Sequence, residues 1–333
     1  MRILFVFTGG TIGSTLQGDL IQTDAGKPYA LLKAYRCTYD IDFAHDTAAP
    51  FSMLSENSTG THLRLLCEYV AQQLNKGYDG IVIMHGTDTL QYTAAALSYA
   101  FADVKIPLCL VSSNRPIELE GANGLCNLHG AIRFIREVGT PGVFVPYQNS
   151  GAPLCIHRGT RLLRSQSFTD RVESARGAVV GRFGEEGGFL PDPSYRERPN
   201  AIPAFGVAPL QEYCDSILFI EPRPGMTYPE IPARVRYILH GSYHSGTLNT
   251  ESAQATSFFA KARARGIPVF LLAAESGAQY ASTSVFGELG ITPIPTLAPI
   301  AAYMKLWMWD ALHPLECASG EVLQASLAGD VIP

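Results

Sequence analysis

The chain has 333 residues, of which 47% are hydrophobic and 17% charged, with a formal net charge of −5. That is apolar material for two domains and far too much for a disordered polypeptide. The acidic balance leaves no basic footprint for nucleic acid or an anionic membrane surface, so the expected partner is a small molecule or a second copy of the chain.

No apolar run approaches the ~18 residues that span a bilayer, and the sequence enters a strand at once without a leader-like segment. A cytoplasmic protein is the expectation. Cys37, Cys67, Cys109, Cys126, Cys155, Cys214 and Cys317 are odd in number and scattered, so they read as thiols rather than disulfides or zinc ligands. His240 and His244 stand four apart across a Gly-Ser turn with no carboxylate beside them, which is no metal signature.

Residues 3–7 form a continuous apolar run suited to a strand buried on both faces of a parallel sheet. T-G-G-T-I-G-S follows, and its glycines bring Thr8, Thr11 and Ser14 to the strand end. A plain strand-to-helix turn accounts for this stretch equally well. Residues 15–27 read as a polar surface loop and 48–54 as a short strand. S-E-N-S-T at 55–59 leads into a helix with apolar positions at 63, 66, 70 and 74, capped by Ser58 or Thr59. A second apolar strand at 80–84 ends in H-G-T-D-T, and an alanine-rich helix covers 90–101.

The rhythm repeats with a strand at 106–111, S-S-N-R-P, a helix to about 136 and a strand at 142–145. Such alternation predicts βαβ units in an open parallel sheet, whose ligands bind beyond the carboxyl ends of the strands. Five prolines between 187 and 209 mark a linker or crossing. Strands at 216–220, 235–239 and 268–272 and helices at 251–265 and 299–312 then predict a second, smaller unit. The expectation is an α/β protein: a doubly wound, mostly parallel sheet in 1–190, a linker at 191–210, and a smaller α/β domain in 211–333.

T-G-G-T-I-G at 8–13, H-G-T-D-T at 85–89 and S-N-R-P-x(6)-N-G-x-x-N at 113–127 together resemble the bacterial-type L-asparaginase family, its cytoplasmic members in particular, over nearly the whole chain. Archaeal subunits of the family that work in tRNA transamidation resemble it less, since they carry an added N-terminal domain. The resemblance implies a cofactor-free amidohydrolase converting L-asparagine to L-aspartate and ammonia, with an amino-acid amide as its small-molecule partner. It also implies a homodimer or homotetramer in which a neighbour's second domain helps close each site.

By the same resemblance Thr11 is the nucleophile, Thr87 the second catalytic threonine and Asp88 the adjoining carboxylate. Ser55, with Glu56 beside it, holds the amino-acid end of the substrate, and Gly86 contributes its backbone. The chemistry suits these residue types: a threonine hydroxyl attacks an amide once a neighbour takes its proton, and N–H groups in glycine turns stabilise an oxyanion. Thr87 and Asp88 read alone favour a helix N-cap over a catalytic pair, Glu56 reads equally as a solvated surface residue, and His85 reads as a structural histidine rather than a base.

The sequence departs from the family at three places. The family's catalytic lysine falls on Arg164 in R-G-T-R-L-L-R, and arginine stays protonated and cannot act as a base, although it can pair with Asp88. The family's loop tyrosine falls on Asp19, with Tyr29 the nearest tyrosine. Asn123 stands where the family has aspartate. Loss of both the relay lysine and the loop tyrosine points to a slow enzyme, a changed substrate or, alternatively, a protein that binds or senses an amino-acid amide without turnover. The polar runs G-S-Y-H-S-G at 241–246 and E-S-G at 275–277 are further candidates for lining the site, or ordinary loops.

Overall fold

A computed structural model of the chain describes residues 1–9, 14–17, 20–23, 30–39, 41–184, 187–274 and 280–332. Its first strand, β1 (Arg2–Phe7), is buried from Ile3 onward. A hairpin of β2 (Ser14–Gln17) and β3 (Leu20–Thr23) stands apart as a two-stranded antiparallel sheet. The reading of 15–27 as a loop is corrected here: Gln17 pairs with Leu20 and Thr15 with Gln22, so the described part of this stretch is strand.

The main sheet continues with β4 (Ala44–Ala48), β5 (Gly80–Met84), β6 (Pro107–Val111), β7 (Gly142–Gln148), β8 (Leu154–Arg158), β9 (Gly181–Phe183) and β10 (Phe189–Pro191). Its order is β10-β9-β8-β7-β6-β5-β1-β4. The strands from β4 through β7 are parallel, and β8, β9 and β10 extend the sheet antiparallel. The strand expected at 48–54 lies instead at Ala44–Ala48, whose A-H-D-T-A is polar and part-exposed because it is a sheet edge.

Alternate residues of the central strands feed two layers. Ile3, Phe5, Val82 and Cys109 pack with α1 (Ala30–Thr38), through Leu31 and Tyr35, and with a helix after β6 through Leu128 and Phe134. On the other face Leu4, Val6, Ile81, Ile83 and Leu108 pack against α2 (Gly60–Gln73), through Leu66 and Val70, and α3 (Leu90–Ala100), through Ala94 and Leu97. The fourth helix itself, α4, is Gly124–Glu137.

This layering fixes the handedness of the connections. The steps β1 to β4 through α1, β4 to β5 through α2 and β5 to β6 through α3 share one hand, since direction and face reverse together. The step β6 to β7 keeps the direction of its predecessor while α4 lies on the opposite face, so it runs in the opposite hand, a rare arrangement.

A second sheet is wholly parallel, ordered β11 (Ile217–Ile220), β12 (Tyr237–His240), β13 (Val269–Leu272) and β14 (Ile291–Ile294). Pro293 sits in the edge strand, where a missing N–H is tolerated. One face is covered by α5 (Ala253–Ala264), with α6 (Ala281–Ser284) and α7 (Phe286–Leu289) beyond it. The other face is covered by α8 (Pro299–Leu312), followed by α9 (Gly320–Gln324). The two layered sheets make the protein α/β with a large, mostly parallel sheet and a smaller parallel one.

Helix α8 is apolar nearly all round and correspondingly buried. Ala301, Met304 and Met308 join the α2/α3 layer of the first sheet, while Ala302 and Leu306 pack on the second. The proline-rich stretch between the sheets runs as a strap across the end of α3, with Phe205 N–H donating to Tyr99 O at 2.9 Å and Gly206 N–H to Ala100 O at 3.1 Å.

Candidate active site

In a parallel sheet of this order the crevice opens where successive connections leave on opposite sides, here beyond the carboxyl ends of β1 and β5. β1 ends in Thr8 and Gly9. The Thr8 hydroxyl is buried and donates to Met84 O at 2.8 Å, so it holds β1 to β5 instead of facing a substrate. Gly9 has φ +99° and lies so close to the neighbouring segment, which it meets in a single isolated bridge to Met53, that a Cβ would fall 2.2 Å from Met53 O. Only glycine fits there. Thr11, like Asp19, Tyr29 and the 275–277 run, lies outside the described residues.

Beyond β5, the turn His85 to Thr89 meets the short 3-10 turn Ser55–Asn57. Ser55, 3% exposed, donates its hydroxyl to Asp88 Oδ2 at 2.9 Å, and the Thr89 hydroxyl donates to Ser55 O at 2.9 Å. Thr89, not Asp88, is the N-cap residue of α3. Asp88 is therefore an exposed carboxylate with one oxygen engaged by a neighbouring loop. Thr87 is half-buried, and its hydroxyl makes no hydrogen bond with any described residue. Glu56 is exposed beside Ser55.

His85 sets the shape of this turn. Its Nδ1 lies 2.8 Å from Gly86 O, an acceptor, so Nδ1 carries the proton, and the Thr93 hydroxyl at 2.9 Å donates to Nε2. Burial pushes the imidazole pKa below the usual range, which keeps it neutral. The same device recurs in the second sheet, where His240 Nδ1 donates to Gly241 O at 2.6 Å and Nε2 is paired with the Tyr228 hydroxyl at 3.2 Å. The polar run 241–246 begins there and closes on itself through Gly246 N–H to Tyr243 O at 2.8 Å.

Arg164 is exposed and lines a cavity of about 870 Å³ between the two sheets, with Tyr92, Glu221, Phe219, Ile300 and Tyr303. Among the described residues Asp88 forms its contact with Ser55, and no ion pair joins it to Arg164. The cavity tyrosines are shifted: burial pushes Tyr92 above the usual phenol range, with Arg164 pulling it down and Glu221 pushing it up. Neither Tyr92 nor Glu221 belongs to a motif that sequence reading singles out. Tyr92 does sit one turn into the helix after H-G-T-D-T, a position that spacing marks.

The S-N-R-P…N-G-x-x-N motif locks the reversed crossover. Asn114 and Asn123 exchange backbone-to-side-chain bonds at 2.9 and 3.1 Å, and Asn123 Nδ2 donates to Gln148 O at 2.9 Å. Asn127 donates to Ser112 O at 2.9 Å and accepts from Gln148 N–H at 2.8 Å. The amide at 123 thus makes a donation that a carboxylate cannot.

Among the described residues no group of three His, Cys, Asp or Glu side chains is arranged to hold a metal, and no helix is long and apolar enough to cross a membrane. The seven cysteines are free thiols; Cys67 and Cys109 are buried, while Cys37 and Cys317 are exposed.

The two-sheet architecture and the sequence of its first half lead to one family. The profile of the asparaginase N-terminal domain matches residues 2–190, more than half of the chain, and the chain belongs to the asparaginase family. Its fold is similar to that of the thermostable L-asparaginase from Thermococcus kodakarensis, with a TM-score of 0.80 and 23% identity over the whole of both chains. It is also similar to L-asparaginase I from Vibrio cholerae, with a TM-score of 0.79 and 22% identity over 100% of this chain and 99% of that one. In sequence it is similar to a subunit of the glutamyl-tRNA(Gln) amidotransferase of Sulfolobus acidocaldarius, 26% identical over 99% of this chain and 75% of that protein. The expected distance from the transamidation subunits is corrected by that match, because the extra length of the relative lies outside the aligned region and does not dilute it.

Proposed function

We propose that the chain is a cytoplasmic L-asparaginase that converts L-asparagine to L-aspartate and ammonia, as a homodimer or homotetramer. Residues 1–190 form the catalytic domain, 191–210 the linker and 211–333 the second domain. The observation that carries this reading is the Ser55–Asp88 contact of 2.9 Å at the mouth of the crevice. A hydroxyl donor and a carboxylate held side by side match the adjacent carboxylate and ammonium of an α-amino acid, which puts the side-chain amide deeper in the crevice.

In this mechanism the Thr11 hydroxyl attacks the carboxamide carbon and gives up its proton as the C–O bond forms. The resulting tetrahedral oxyanion is met by backbone N–H groups of the glycine turns, Gly86 among them. Collapse breaks the C–N bond, ammonia leaves with the added proton, and water cleaves the aspartyl ester. Thr87, Asp88 and Arg164 form the supporting group, and Ser55 and Glu56 hold the amino-acid end. With arginine at the relay position, base assistance worth ~10²–10⁴-fold falls to other groups.

The similarity to part of a glutamyl-tRNA(Gln) amidotransferase favours a second reading, in which the amide hydrolysed is that of glutamine. One methylene separates the two substrates. Ammonia release by the purified chain on asparagine and on glutamine, beside Thr11→Ala, tests both. Release on asparagine that disappears with Thr11→Ala is the expected result; binding heat without ammonia would leave a sensor.

A further inference from the structure

Residues 325–332 thread into the interior beside the segment that leads to Arg164. Thr160 Oγ1 donates to Ala328 O at 3.0 Å, and Arg161, fully buried, donates from Nε to Gly329 O at 2.8 Å and from Nη2 to Val331 O at 3.2 Å. Gly329, at φ +69°, holds a left-handed conformation that favours glycine and packs against the ends of the Glu197 and Arg158 side chains, where a Cβ would fall 2.7 Å from Glu197 Cδ and 2.9 Å from Arg158 Nε. Gly159 seats the same segment on α3, where a Cβ would lie 2.6 Å from Ser98 Oγ and 2.9 Å from Ala94 O.

At the centre is Asp330, 0% exposed, as is Lys305. Asp330 Oδ2 takes Lys305 Nζ of α8 at 2.8 Å and the Tyr99 hydroxyl of α3 at 3.2 Å; Oδ1 accepts from Leu327 N–H at 2.9 Å. Lys305 also donates to Leu323 O at 3.1 Å and to Ala325 O. A buried ion pair of this kind adds little stability over well-packed apolar side chains, whereas its directional bonds fix where its partners lie.

Those partners lead to the candidate catalytic groups. α3 begins directly after Thr87, Asp88 and Thr89, and Tyr99 is ten residues along it, ~15 Å from that turn at a helical rise. Arg164 follows three residues after Arg161. We propose that Asp330 is a positioning residue for the amide reaction: through Tyr99 and Lys305, and through the Arg161 contacts of its own segment, it sets the 87–89 turn and Arg164 relative to each other. The inference rests on the amidohydrolase reading. Misplacement by about 1 Å far from the reacting atoms is enough to cost ~10²-fold in rate.

Two variants of the full chain test it. Tyr99→Phe removes only the hydroxyl between α3 and Asp330, and Lys305→Met with Asp330→Asn removes the ion pair while keeping an acceptor for Leu327 N–H. The expected result is a kcat for ammonia release lower by about 10-fold or more at unchanged KM, with faster amide exchange confined to 86–92 and 158–166. Unchanged kcat in folded Tyr99→Phe would overturn the proposal, as would a rise in exchange spread over both sheets. If the double variant does not fold, Tyr99→Phe decides. A wild-type chain that releases no ammonia would sink the amidohydrolase reading alone, and the exchange pattern of the same variants then judges the positioning role.

Discussion

Ser55 and Asp88 are 33 residues apart in sequence, yet the hydroxyl of one donates to the carboxylate of the other across 2.9 Å. The contact brings together two loops that leave the main sheet from different strands, and it is made between an enclosed residue and an exposed one. Ser55→Ala is expected to cost about 1 kcal/mol or less in stability, because the freed carboxylate oxygen rehydrates. Asparagine binding should weaken far more, by ~10- to 100-fold if a charge-assisted bond is lost. Titration calorimetry beside thermal melts separates the two effects, and equal losses in both would remove Ser55 from the binding site.

Arg164→Lys restores a side chain that can give up its proton. The expected outcome is a gain of ~10²-fold in kcat for ammonia release, with a new basic limb in the pH profile. A fall in kcat would show instead that the guanidinium beside Glu221 and Tyr92 is built into the working site.

Asn123→Asp replaces the amide that donates to Gln148 O with an oxygen facing an oxygen. We expect a loss of about 1–3 kcal/mol in urea unfolding with an unchanged slope. A variant as stable as the parent would mean that the Asn114 exchange alone secures the reversed crossover.

His157 is fully buried, its Nδ1 2.8 Å from Ser174 Oγ, and Nε2 has no partner among the described residues. Burial pushes its pKa down to about 4. The folded value is depressed, so this contribution is complete above the unfolded value of ~6.5 and is lost as pH falls from there toward 4, where only the unfolded chain takes the proton. Over that window the loss is roughly 3 kcal/mol. His85 and His240 are shifted in the same direction. His157→Gln should therefore flatten the decline in melting temperature between pH 6.5 and 4 without abolishing it.

The strands at 3–7, 80–84 and 106–111 are legible in the sequence because a strand covered on both faces must be apolar throughout, and their polar turns announce the crevice. Ala44–Ala48 escapes because an edge strand need not be apolar, and β8 to β10 because short antiparallel strands at a sheet margin carry the same weak signal. At the site, motif resemblance names Ser55 and Asp88 but not their mutual contact, since spacing within one chain segment says nothing of a neighbour 33 residues away. Lys305 carries a readable signal that no motif draws attention to: a single charge inside the run P-I-A-A-Y-M-K-L-W-M-W has to be buried and paired.

The double allegiance of α8 bears on how the molecule comes apart. Since Met304 and Met308 belong to one sheet's layer and Leu306 to the other's, neither half owns a finished interior, and melting one uncovers the greasy flank of its mate. Calorimetry should record a single cooperative transition, and residues 1–210 expressed alone should aggregate through the bare seam that this helix fills.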